Sequence, residues 1–167
     1  MSVNSVRFSQ GLKVVQLLAP QDITETATGS SFVNVKKAHW VTFLVQFGVI
    51  TGDSIDVTVE VAPVNTDTGT ETACAFRYIK TGAIDTNTYG TVTAVAAGST
   101  VGMVAASDDN KTLIIDVDVA DMQSALATAK YCRVLITPAT TSVSACLVNA
   151  IAILEPVYPT STHISDS

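Results

Sequence analysis

Charge is what this chain has least of: 14% of its residues are Asp, Glu, Lys or Arg, against an ordinary share of roughly a quarter. So few charges cannot coat the outer faces of many helices, which argues against an α-helical bundle. Basic residues are the rarer sign, nine Lys and Arg against fifteen Asp and Glu, for a formal charge of −6 at pH 7. With no Lys/Arg cluster and no arginine–aromatic patch, nucleic acid is excluded as an expected partner. Long hydrophobic runs are missing too. The longest, Leu147 to Leu154, is interrupted by Asn149 and is too short to cross a bilayer as a helix. Residues Met1 to Pro20 carry Arg7 and Lys13 before an apolar stretch broken by Gln16, which lacks the core of a secretion signal. The expectation is a soluble protein with no membrane partner.

Cysteines number three, Cys74, Cys132 and Cys146, with no CxxC spacing. Each lies in an apolar, strand-like stretch. Buried free thiols in a reducing compartment are expected, with a Cys132–Cys146 bridge as the alternative.

What is present is strand-forming sequence. Thr, Val and Ala are abundant, and the clearest pattern has period two. From Val41 the odd positions read Val41, Phe43, Val45, Phe47 and Val49, and after Thr51-Gly52-Asp53-Ser54 the alternation resumes as Ile55, Val57, Val59 and Val61. This reads as a β-hairpin closed by a glycine turn. Further strands are expected at Leu12 to Leu18, Ser31 to Val35, Ala73 to Ile79, Leu113 to Val119, Tyr131 to Thr137 and Cys146 to Leu154. Two short ones between Thr86 and Ala106 bring the expected number to about eight to ten. Helical composition is confined to Ala120 to Lys130, enough for one short helix. Without a helix after most strands, antiparallel pairing in an all-β sandwich or jelly roll follows. The length suits one core, organised as an N-terminal arm over residues 1–11, a sandwich domain over 12–159 and a polar tail over 160–167.

Catalysis needs a nucleophile with its base, paired carboxylates or a metal cluster, and no diagnostic spacing is present. His39 beside Trp40 reads as a strand-end histidine and His163 as part of the tail. Asp116, Asp118 and Asp121 are the best candidates for calcium, since alternate strand residues share a face, although a half-solvated strand demands the same alternation. Asp108-Asp109-Asn110 reads as a turn. The glycines form no phosphate-cradling pattern. Trp40, Phe43, Phe47, Phe76, Tyr78 and Tyr89 include the material of a sugar-binding face, but Phe43 and Phe47 share the purely apolar side and read as core. No enzyme activity and no cofactor are expected.

Several segments carry a family resemblance: Gln10 to Pro20, the pair Trp40 to Gly48 and Ile55 to Val61, Lys111 to Met122, Cys132 to Thr137 and Ala152 to Pro159. In order and spacing they resemble small tailed-bacteriophage capsid decoration, or cement, proteins. The resemblance implies a jelly-roll-like β-sandwich, made in the bacterial host cytoplasm, that sits on the outer capsid surface of the virion and bridges major capsid protein subunits. It transfers no catalytic residue. The arm, with Arg7 and Phe8 as a charged and apolar anchor pair and Leu12 at its base, is the expected capsid-binding element. Sister copies are expected to pack through Thr91 to Thr100 and Thr137 to Ala145, as a trimer first and a dimer second. The alternatives are a phage tail or baseplate subunit and a carbohydrate-binding β-sandwich module.

Overall fold

A computed structural model describes residues 11–23, 26–139 and 146–156. Alternation decides the architecture. In β4 (Ala38–Phe47) the odd residues Val41, Phe43 and Val45 are wholly buried while Thr42, Leu44 and Gln46 face outward. In β5 (Ile55–Ala62) Ile55, Val57, Val59 and Val61 are wholly buried. Each such side chain removed from water contributes about 1.5–3 kcal/mol, so two faces of this kind must meet, and they do so as opposite layers of a sandwich.

The first layer contains β1 (Lys13–Asp22), β4, β7 (Phe76–Lys80), β8 (Thr93–Val95), β10 (Thr112–Asp118) and β12 (Leu147–Pro156). Its spatial order is β1-β12-β4-β10-β7-β8, with every pair antiparallel. The second layer has β2 (Thr28–Gly29), β11 (Tyr131–Pro138), β5 and β6 (Thr72–Ala73) in that order, with β3 (Val33–Asn34) on β11 and β9 (Val101–Met103) on β5. Between the layers lie Phe43, Leu113, Ile115 and Leu154 from the first, meeting Ile55, Met103 and Ile136 from the second. The chain is therefore an all-β antiparallel sandwich. One short helix, α1 (Val119–Ala125), follows β10 directly. Asp118 caps its first turn by accepting a 2.8 Å hydrogen bond from the Ala120 amide, and Met122 is its buried residue.

Val41–Val49 and Ile55–Val61 do not form the expected hairpin. β4 pairs with β12 and β10, whereas β5 pairs with β11, β6 and β9. The connection instead arches from one layer to the other. Its residue Ile50 is buried, and the Ile50 amide donates to Asp109 Oδ1 at 2.8 Å. A period-two pattern states which face of a strand is apolar, and two strands facing each other across a core carry the same pattern as two paired edge to edge.

Smaller departures have local causes. Leu17 and Leu18 are both buried in β1, which alternation forbids, and the register against β12 shifts on both sides of Leu18. This is the behaviour of a bulged strand, and at the edge of the layer it also accommodates Pro20. The stretch Ala73 to Ile79 divides into β6 and β7, which belong to different layers. Val49 lies beyond the end of β4 and is 55% exposed. Cys74, Cys132 and Cys146 are buried free thiols, so the Cys132–Cys146 bridge is not formed.

Candidate functional site: the outer face of the first layer

The outward residues of a two-layer sandwich meet water, and the two layers treat this differently. On the second layer the outward rows between β5 and β11 are Asp56 beside Thr137, Thr58 beside Leu135, Glu60 beside Arg133 and Ala62 beside Tyr131, a mostly polar set. Arg133 is drawn inward there. It donates to Glu60 Oε2 and Asp67 Oδ2, each at 2.8 Å, and stacks 4.6 Å from the Phe32 ring centroid. Burial disfavours the charged guanidinium, but the hydrogen bonds to Asp67 and Glu60 outweigh burial and keep its pKa above the ordinary arginine value. Gly29 leaves room for this side chain, since a Cβ there would stand 2.8 Å from Arg133 Nη1.

The first layer is different. Across it runs a row in register, Ile151 of β12, Leu44 of β4, Ile114 of β10 and Ile79 of β7, each partner directly opposite the next. All four are half-buried and lie on the side away from the core. The next row reads Val14, Ile153, Thr42, Asp116 and Arg77, with Val14 50% exposed. A third row sets Glu155, Trp40 and Asp118 side by side. The face thus grades from an aliphatic band into an aromatic and acidic end.

At that end the surface is hollowed. One depression of about 290 Å³ is lined by Leu12, Trp40, Thr42, Asp116, Ile153 and Glu155. A second, of about 180 Å³, shares Trp40 and Asp116 and adds Arg77, Asp118 and Asp121 among its walls. Together they make a groove around Trp40, which is 38% exposed. Thr42 donates to Asp116 Oδ1 at 2.6 Å, fixing the carboxylate beside the indole. Asp118 is held by its cap, and Asp121 sits in the first turn of α1.

The acidic run thereby comes together, but as one wall of a groove. Among the described residues, no group of three or more His, Cys, Asp and Glu has the geometry to hold a metal ion. His39 is exposed and lines neither depression. The six aromatic residues do not assemble into a platform. Phe43, Phe47 and Phe76 are core, Tyr78 packs against the core, and Tyr89 is 68% exposed outside the groove. Leu12 is brought to the groove, while Arg7, Phe8 and His163 lie outside the described residues. Sequence reasoning missed the aliphatic row; its signal is hydrophobics on both faces of one strand, as in Leu44 between Phe43 and Val45 and Ile114 between Leu113 and Ile115. Its meaning depends on which strands are neighbours.

No protein-family model matches this chain, and no curated protein matches it. Among solved structures, the chain is similar to the SPBc2 prophage-derived protein YomS, with 13% identity, 85% of this chain and 92% of that one covered, and a TM-score of 0.39. It is also similar to a chain in the structure of infectious bursal disease virus Gt strain, with 10% identity, 87% of this chain and 36% of that one covered, and a TM-score of 0.25. No residue role is carried from either.

Proposed function

We propose that this chain is a non-catalytic structural protein of a tailed-phage virion that binds the outer capsid surface and stabilises it by bridging major capsid subunits. The observation that carries this reading is the aliphatic row Ile151–Leu44–Ile114–Ile79 on the outward side of the first layer. A solvent-facing sheet gains nothing from such a row, whereas an interface does. The sequence resemblance to capsid decoration proteins supports the same role. Each copy need supply only a modest contact, because many copies on a symmetric lattice multiply its holding power. In this reading residues 1–12 act as an arm on a capsid subunit, and sister copies associate, as a trimer first, through Thr91 to Thr100 and Thr137 to Ala145, of which residues 140–145 lie outside the described residues.

Cosedimentation of the purified protein with undecorated, expanded phage heads, followed by imaging, tests the proposal. Saturable symmetric density on the outer shell is expected. Folded protein that stays in the supernatant would remove the capsid reading, and labelling of virions at the tail would replace it with a tail or baseplate role.

A further inference from the structure

The groove at the acidic end of the sheet says what kind of partner the face is built to meet. Among the described residues, Asp116, Asp118, Asp121 and Glu155 take part in no ion pair. In a chain with so few charges, four such carboxylates around one aromatic ring concentrate negative potential where Trp40 offers a π-face, with Arg77 the one cation among the described residues of the walls. A cationic side chain entering here gains from both, and Arg most, because its planar guanidinium stacks on indole and forks onto carboxylates.

A second copy of this chain is a poor occupant. In a face-to-face two-fold pair, the acidic end meets either its own counterpart or the opposite end of the face. That opposite end carries Gln46, Asn149 and Thr112 in register, with Asn149 donating to Gln46 at 3.1 Å, and Lys111 and Lys80 beside it are already paired with Asp108. Neither arrangement neutralises the carboxylates, and like charges brought together are costly.

We propose that the outer face of the first layer docks a different protein whose surface presents an apolar patch flanked by an Arg or Lys side chain, and that this side chain enters the Trp40 groove. The band supplies contact area and the groove supplies orientation, since the cation can be satisfied at one end only. Resting on the proposed function, the partner is the capsid subunit. The groove itself can be tested without any capsid.

Trp40 is the single tryptophan of the chain, so its fluorescence reports the groove directly. The first experiment titrates the full chain with acetyl-tetraarginine amide at low salt, using acetyl-tetraglutamine amide and a neutral cello-oligosaccharide as comparison probes. A saturable change with tetraarginine alone is expected, abolished by 0.5 M salt. It should weaken roughly tenfold in D121N/E155Q, in which two groove charges are removed. The variant E71Q/D85N, with the same change in net charge elsewhere, should titrate like the parent. The second experiment measures head binding against salt for the same proteins, with D121N/E155Q expected to flatten the dependence. No tetraarginine response, equal weakening by both variants, or a response to the oligosaccharide alone would overturn the groove proposal. A specific tetraarginine response from protein that ignores heads would leave the groove standing and overturn the capsid reading instead.

Discussion

Asp108 shows how much one residue can organise in a charge-poor chain. Its side chain is 7% exposed and is met by Lys80 Nζ at 2.6 Å, Lys111 Nζ at 3.2 Å and the Val104 amide at 2.9 Å. Burial opposes ionisation, but the hydrogen bonds from Lys80, Val104 and Lys111, with the Lys80 charge, outweigh it and hold the carboxyl below its ordinary value. A folded-state pKa below the unfolded one adds stability that is complete above the unfolded value and is lost as pH falls through the folded one. Asp108→Asn should therefore lower unfolding free energy by about 2 kcal/mol at pH 7. The difference from the parent should shrink in urea melts taken below pH 4. The turn at Asp108–Asn110 was readable from composition, and Asn110 does adopt a left-handed φ of 57°. The two lysines were not, because Lys80 arrives from another strand. Burial also pushes the Cys74 and Cys146 thiols up to about 11 and Cys132 well beyond its ordinary value. Native protein at pH 8 should leave all three unlabelled by a thiol reagent, and denatured protein should label all three; rapid labelling without denaturant would contradict the packing.

Among the elements, α1 is the least obvious in its effect. It is short, and a helix of seven residues has little stability of its own. What holds it is Asp118 at its start and Met122 beneath it, packed where β10 ends and β4 begins. Met122→Ala should cost about 3 kcal/mol through the cavity left behind. Because Asp118 and Asp121 bound the groove, the same change should shift Trp40 emission before global unfolding. Coincident transitions by fluorescence and circular dichroism would show that α1 does not support the groove. Strand positions were legible almost throughout, from Ile55–Ala62 to Leu147–Pro156, because burial of one face enforces alternation locally. Bulges and crossings were not: Leu17 and Leu18 are two adjacent leucines until β12 lies beside them.

For the whole molecule, the contrast between the two outer faces is the property on which the proposed function turns. Leu44→Thr with Ile114→Thr replaces the middle of the aliphatic row by β-compatible polar residues. The fold should survive with a loss of roughly 1 kcal/mol, as surface changes do, while head binding falls at least tenfold. Equal binding by this variant, at unchanged circular dichroism, would move the interface elsewhere. Deleting residues 1–11 should likewise leave a folded sandwich that no longer decorates heads, and undiminished decoration would end the role given to the arm.

Composition and alternation were enough to determine an all-β sandwich with one core, since scarce charge and period-two apolar faces leave no other way to keep those residues from water. They also marked the longer strands and which of their faces is wetter. Tertiary structure alone decided who neighbours whom. The same alternation serves a hairpin or an arch, so only long-range pairing could send β4 and β5 to opposite layers. Only that pairing set Ile151, Leu44, Ile114 and Ile79 in one row and gathered Glu155, Trp40 and Asp118 in another. A surface made across strands distant in sequence is a property of register, and register is settled by the whole core at once.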